Sequence, residues 1–259
     1  MKQDMNQYLQ NLKKIEFVIT YACTGRCRHC SEGDHASCGE HIDPVVAASA
    51  VREIAGKYAI KTLMTFGGEP LLYPDAVCAI HEAGKAVGIP RRQLITNGYF
   101  SKDRARIQAV VKRLAASGIN DVLLSVDAFH QETIPLERVM DFALAVQKAG
   151  MPLRTQPAWL VSVDDDNQYN LTTKEILAQF DALGIMQNDG NVIFPSGNAL
   201  KYLKEYFDPH NTIVNPYEEN PRRVETVSFE PDGGVLGGNV YRQSITEILD
   251  TYSPHAFRE

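Results

Sequence analysis

The sequence predicts an α/β fold built on a parallel sheet, and three observations predict it. Six short, β-rich apolar runs alternate with five amphipathic helical stretches. Proline and capping residues stand where helices should begin, and glycines where they should end. Strands that are joined each time through a helix run parallel, with right-handed crossovers. The chain has 259 residues, 44% of them hydrophobic and 22% charged. That suffices for one large domain with a small appendage.

In order, the predicted strands are residues 15–21, 62–66, 93–96, 122–126, 153–160 and 191–194. The predicted helices are 44–58, 74–87, 102–117, 135–149 and 172–183. Pro44, Pro74 and Pro135 suit first helical positions, where the missing N–H costs nothing. Ser101 and Thr172 offer capping hydroxyls. Gly118, Gly150 and Gly184 each follow a helix and suit a left-handed stop. Pattern alone fits either an open doubly wound sheet or a partial barrel. In both, chemistry gathers at the carboxyl ends of the strands.

Beyond residue 197 the pattern changes. Residues 198–207 read as a last helix and 208–223, rich in Asn and Pro, as a connection. Residues 224–230 alternate as a strand, Pro231-Asp232-Gly233-Gly234 is a turn, and 235–241 read as the returning strand. A short helix at 244–249 follows. The predicted organisation is a segment at 1–14, a main domain at 15–200 and a C-terminal hairpin-and-helix cap at 201–259.

The formal net charge is −6, with no basic block, so nucleic acid is not an expected partner. No run reaches 18 apolar residues, and residues 1–14 lack the apolar stretch of a signal peptide. Five cysteines, three of them clustered, do not form a disulfide framework, and a reducing, cytoplasmic setting is expected.

The clustered three are Cys23, Cys27 and Cys30, at spacing C-x3-C-x2-C on the loop after the first strand. Such a triplet grips one metal ion or one cluster and stays one ligand short of a closed four-thiolate site. Zinc completed by His29, His35, Cys38 or His41 is the other reading of the same residues. Gly67-Gly68-Glu69-Pro70 follows the second strand, either as a backbone cradle for a ligand or as a plain βα turn. Thr96-Asn97-Gly98 follows the third strand, either as polar ligand contacts or as an Asn-Gly turn. Ser125 and Asp127 share one face at the end of the fourth strand, where Asp127 suits ribose hydroxyls or a helix cap. Phe129-His130-Gln131-Glu132 is a hydrated loop or a substrate-facing group, with His130 as its first candidate for moving a proton. Trp159 reads as a core or lid aromatic, Asp164-Asp165-Asp166 as a solvated loop, and Cys78 as a small buried hydrophobe inside a helix.

The cysteine spacing, with a GGE run after the second strand, resembles the radical S-adenosylmethionine (radical SAM) superfamily. The resemblance covers roughly residues 15–200. It implies a partial (β/α)6 barrel and an enzyme. It also implies that Cys23, Cys27 and Cys30 hold a [4Fe–4S] cluster whose fourth iron is chelated by S-adenosylmethionine. An electron from the cluster then cleaves S-adenosylmethionine to methionine and a 5′-deoxyadenosyl radical, which takes hydrogen from a substrate. The resemblance assigns Gly67, Gly68 and Glu69 to the methionine amino group. It sets Thr96 and Asn97 near the cofactor, and Ser125 and Asp127 at its ribose or carboxylate. Phe194 and Ser196, at the end of the sixth strand, are expected near adenine. His29 fills a slot before the third cysteine that the family usually gives to an aromatic ring. His130 and Asp127 are the expected catalytic residues. No cysteine follows Cys78, so a single cluster is expected, with an external electron donor and a peptide or small-molecule substrate.

Overall fold

A computed structural model describes residues 5–36, 39–208 and 215–254. Cys38 and part of the predicted connection at 208–223 lie outside the described residues. The strands and helices follow in chain order: β1 Lys14–Val18, α1 Pro44–Lys57, β2 Thr62–Phe66, α2 Pro74–Ala86, β3 Arg91–Thr96, α3 Arg104–Ser117 and β4 Asp121–Ser125. Then come α4 Ala128–Gln131, α5 Leu136–Lys148, β5 Leu153–Gln156, β6 Ala158–Trp159, α6 Gln168–Asp181, β7 Met186–Gln187 and β8 Asn191–Val192. The last are α7 Gly197–Tyr202, β9 Thr226–Phe229, β10 Gly234–Val235, β11 Gly238–Asn239 and α8 Ile245–Thr251.

Seven strands form one parallel sheet in the order β7-β5-β4-β3-β2-β1-β9. The two edges, β7 and β9, do not pair with each other, so the barrel is partial. Alternation along β1 sets its inside and outside. Ile15 and Phe17 are fully buried in the main core, while Lys14, Glu16 and Val18 line a central cavity. On β9, Val227 and Phe229 join the core, while Thr226 and Ser228 face the cavity. Phe229 stacks on Phe17 with ring centroids 4.5 Å apart.

Most helix starts follow the sequence. Asp43 caps α1 with Pro44 at its first position, and Gly118 ends α3 at φ 91°. Two predicted caps move. Asp103, and not Ser101, caps α3, while Asn167 caps a helix that begins four residues before Thr172. Pro135 stands just outside α5.

Three predicted strands are corrected. The strand at 153–160 breaks at Pro157, which cannot donate to a ladder, giving β5 and β6. The strand at 191–194 is not the sixth strand of the main sheet. Exposed Met186–Gln187 takes that place as β7, and β8 pairs only with β6. The strand at 224–230 does not pair with 235–241. It lies parallel to β1 as the seventh strand, and the small antiparallel hairpin forms within 234–239. The predicted helix at 198–207 is α7 followed by a 3-10 turn at Lys204–Tyr206.

No helix among the described residues is long and apolar enough to cross a membrane.

Candidate active site

A cavity of about 760 Å³ opens at the carboxyl ends of the strands. Cys23, Cys27 and Cys30 lie on its wall, on the loop that leaves β1. Cys23 and Cys27 are buried and Cys30 is half-buried, and all are free thiols. Burial pushes each thiol up: Cys23 to about 11, and Cys27 and Cys30 also above their ordinary value. The protein alone therefore keeps them protonated, and a bound metal must displace the protons.

Several contacts hold this loop. The Gly25 N–H donates to Cys23 Sγ at 3.3 Å, and Asn97 Nδ2 reaches the same sulfur at 3.6 Å. Arg26 donates from its guanidinium to the carbonyls of Cys23 and Gly25. The Asn198 N–H donates to Cys30 O at 2.9 Å, and its side chain to Cys27 O at 3.3 Å. His35 Nδ1 donates to Tyr21 O at 2.6 Å, since a carbonyl only accepts, and this leaves Nε2 3.0 Å from Cys30 Sγ. Asn198 escaped the sequence reading. Both Asn198 and His35 hold the cysteine loop from outside any motif, and the sequence offers His35 only as a zinc ligand.

The glycines of the second loop fit tightly against the first. A Cβ on Gly68 would lie 2.2 Å from Ala22 O, and one on Gly67, at φ 141°, 2.6 Å from Thr20 O. The N–H groups of Gly68 and Glu69 donate to Thr20 O and Ala22 O, each at 2.8 Å. The close approach that the glycines allow is therefore to the cysteine loop's own backbone, while Gly67 and Gly68 still line the cavity.

Glu69 is fully buried and is not among the residues that line the cavity. Its Oε1 accepts from Leu71 N at 2.9 Å and Thr96 Oγ1 at 2.7 Å, and its Oε2 from Asn97 N at 2.9 Å. Burial pushes its carboxyl up to about 7, against the pull of those three donors. Glu69 thus ties the glycine loop to the end of β3 and presents Thr96 and Asn97 to the cavity. Asn97 Oδ1 also accepts from Tyr99 N, the turn contact that an Asn-Gly pair suggests.

Ser125 lies on the cavity wall at the end of β4. Asp127 is fully buried, and three donors occupy its carboxylate. The His130 N–H (2.9 Å) gives the helix cap, His130 Nδ1 lies at 2.8 Å, and the Ala158 N–H at 3.0 Å. Burial alone would raise its carboxyl, but the His130 ring and these N–H groups outweigh that and bring it to about 2. The bond from Nδ1 leaves Nε2 as the free nitrogen of His130, a residue of the cavity wall.

His29 sits beside it, ring centroids 4.8 Å apart, and also contacts Phe129 at 5.0 Å. Its Nδ1 is buried without a partner, and burial brings the ring down to about 4. Phe194 and Ser196 also line the cavity, where Phe194 meets Tyr217 edge-on at 6.0 Å and Ser196 Oγ donates to Ser31 O, beside Cys30, at 3.1 Å. The cavity thus brings together all the site residues read from the sequence except Glu69, which acts from behind Thr96 and Asn97. Trp159 is buried in the core, with its N–H on Asp189 O.

A bound [4Fe–4S] cluster fits this donor set: three free thiols stand on one short loop of the cavity wall, and as they give up their protons the metal compensates the thiolate charge that the buried site would otherwise disfavour.

Comparison with known proteins agrees. The family model of the radical SAM superfamily matches residues 17–155. A GTP 3′,8-cyclase of Aquifex aeolicus is 24% identical over 249 residues, covering 87% of this chain and 73% of that protein. A probable GTP 3′,8-cyclase of Methanocaldococcus jannaschii is 26% identical over 127 residues, covering 49% of this chain and 40% of that protein. A GTP 3′,8-cyclase of Chlorobaculum tepidum matches over 43% of its length, so alignments to these last two relatives take in less than half of each. Among solved structures, native anSMEcpe with bound AdoMet superposes with a TM-score of 0.60 at 15% identity, over 95% of this chain and 82% of that one. BtrN in complex with AdoMet and 2-DOIA gives 0.52 at 14% identity, over 92% and 82%. These two likenesses show the fold. With a family model matched over more than half of its length, the chain belongs to the radical SAM superfamily and is an enzyme of that family.

Proposed function

We propose that this chain reductively cleaves S-adenosylmethionine at a single [4Fe–4S] cluster on Cys23, Cys27 and Cys30, and abstracts hydrogen from a small molecule or peptide segment. The observation that carries this reading is the convergence of three free thiols on one cavity whose other walls are Gly67, Gly68, Thr96, Asn97 and Ser125. When bound, the cluster supplies the electron that breaks the sulfonium carbon–sulfur bond, giving methionine and the 5′-deoxyadenosyl radical. The backbone of Gly67 and Gly68 and the polar groups of Thr96, Asn97 and Ser125 orient S-adenosylmethionine. His130, fixed through Nδ1 by Asp127, offers Nε2 to accept or give a proton at the substrate.

The substrate reading departs from the relatives named for GTP. Glu16, Glu32, Asp127, Glu218, Glu219 and Glu230 line the cavity. Among the described residues Lys14 is the one Lys or Arg on that wall, and it is ion-paired to Glu16. A triphosphate needs unpaired cations to replace its hydration. The wall favours a neutral or cationic substrate.

The test is anaerobic reconstitution, dithionite reduction with S-adenosylmethionine, and assay of 5′-deoxyadenosine. The expected result is slow formation that is abolished in Cys27→Ala and not stimulated by GTP. Reconstituted protein that holds iron but makes no 5′-deoxyadenosine overturns the catalytic reading. Stimulation by GTP overturns the substrate reading alone.

A further inference from the structure

Cys27, His29 and His130 form a second constellation inside the cavity. One ligand atom from each lies within 4.8 Å of the others. Each side chain is prepared for a metal in a different way. His130 is held through Nδ1 by the buried Asp127 carboxylate, as metal-bound imidazoles commonly are, which fixes its tautomer and leaves Nε2 free. His29 has a buried Nδ1 without any hydrogen-bond partner, which is costly unless something else occupies it. Cys27 is a buried free thiol.

We propose that in the cluster-free protein these three residues bind one zinc ion, and that zinc and the iron–sulfur cluster exclude each other by competing for Cys27. Two imidazoles and one thiolate are a zinc donor set, with water as the fourth ligand. Bonds of about 2.0–2.3 Å in a tetrahedral site separate ligand atoms by roughly 3.3–3.8 Å. Side-chain adjustments of about 1 Å therefore close the site. The thiol proton leaves as zinc binds, so uptake strengthens as pH rises. The site differs from a zinc held by the three cysteines, since it uses only one of them. The ion would be a resting occupant, removed before the cluster is built. This proposal shares Cys27 with the proposed function and does not depend on S-adenosylmethionine turnover.

The experiment is an anaerobic titration of zinc chloride into the full-length apoprotein against a chromophoric chelator, without reductant substrate or S-adenosylmethionine. One zinc is expected, weakened at least about tenfold by His29→Ala, His130→Ala and Cys27→Ser and retained in Cys23→Ser. X-ray absorption of the unmutated zinc protein provides a readout that needs no variant: one sulfur and two imidazole scatterers are expected. Zinc-loaded protein is expected to take up cluster only after a chelator is added. No tight zinc, three sulfur scatterers, or zinc lost in Cys23→Ser but kept in both histidine variants overturns the site. Cluster uptake at the same rate with zinc still bound overturns the exclusion. If the zinc site fails while 5′-deoxyadenosine still forms, the catalytic reading is untouched.

Discussion

The carboxylate of Asp127 caps α4, fixes the His130 ring and reaches across to the Ala158 N–H. The sequence offered a ligand contact and a helix cap as alternatives, and the cap is what the geometry makes visible. Its folded pKa, about 2, lies below the ordinary carboxylate value. An acid depressed in this way stabilises the fold above its unfolded pKa, near 4, and loses that contribution as pH falls toward 2. Asp127→Asn keeps the shape but cannot serve all three donors. It should lower stability in urea unfolding at pH 7 by about 2–3 kcal/mol, the scale of lost hydrogen bonds to a charged group. The loss should shrink at pH 2–3, where the carboxylate of the unmutated chain takes up its proton. Equal loss at both pH values would mean that charge plays no part. Glu69 carries the opposite sign. Its carboxyl rises to about 7, so the folded state binds more protons than the unfolded one between roughly pH 4.5 and 7, and its contribution falls as pH rises through that window. The cysteines and glycines were legible because few residues can do what they do. Two of the three donors to Glu69 were not, because Thr96 and Asn97 come from the end of β3, 27 and 28 residues away.

At the scale of the element, the loop after β2 is shaped by its neighbour more than by its own turn. Gly68 has no room for a methyl group, since the blocking atom is a backbone oxygen, Ala22 O at 2.2 Å, which cannot swing aside. Gly68→Ala must push the glycine loop off the segment that enters the cysteines and strain the two hydrogen bonds to Thr20 and Ala22. A stability loss of at least about 2 kcal/mol is expected, on the scale of two backbone bonds and a steric clash. The iron content after reconstitution should fall with it. Gly56 makes the control. It is exposed inside α1, with nothing within 4 Å of an added Cβ. Gly56→Ala should raise stability by about 0.5–1 kcal/mol and leave iron content unchanged. Thermal unfolding and iron analysis on both variants check the pair. If Gly68→Ala matches Gly56→Ala, the two loops do not support each other. The helix ends were readable from proline and glycine, whereas the break of β5 and β6 at Pro157 and the displaced β7 were not. Met186–Gln187 is a two-residue strand with exposed side chains, so it leaves no periodicity to read.

Across the whole molecule, the strand that completes the sheet comes last in the chain and lies against the first. β9 pairs with β1 across more than two hundred intervening residues. Alternation at 224–230 shows which side chains share a face, but not which strand they meet. The turn at 231–234 is real, with the Gly233 N–H on Glu230 O, but it pointed to the wrong partner: it only redirects the chain as it leaves β9, and the small hairpin at 234–239 is closed by Leu236-Gly237. The pairing matters for the site. β1 runs directly into the cysteine loop, and β9 runs into Glu230, whose carboxylate accepts from Tyr21 Oη just before Cys23. The load on this junction rests on Phe229, fully buried and stacked on Phe17. Phe229→Ala should cost about 3–5 kcal/mol, the range for removing a buried aromatic side chain. Because the cavity forms between these strands, the variant should also lose tolerance in cluster reconstitution at temperatures where it remains folded. Phe229→Leu, which keeps most of the apolar volume, should recover much of both. Denaturant unfolding and iron content, measured on the two variants side by side, decide the matter. A large stability loss with full iron content would mean that the last strand supports the fold without shaping the cysteine loop. Parallel loss and parallel recovery would mean that the end of the chain helps to hold the first loop in the form that binds the cluster.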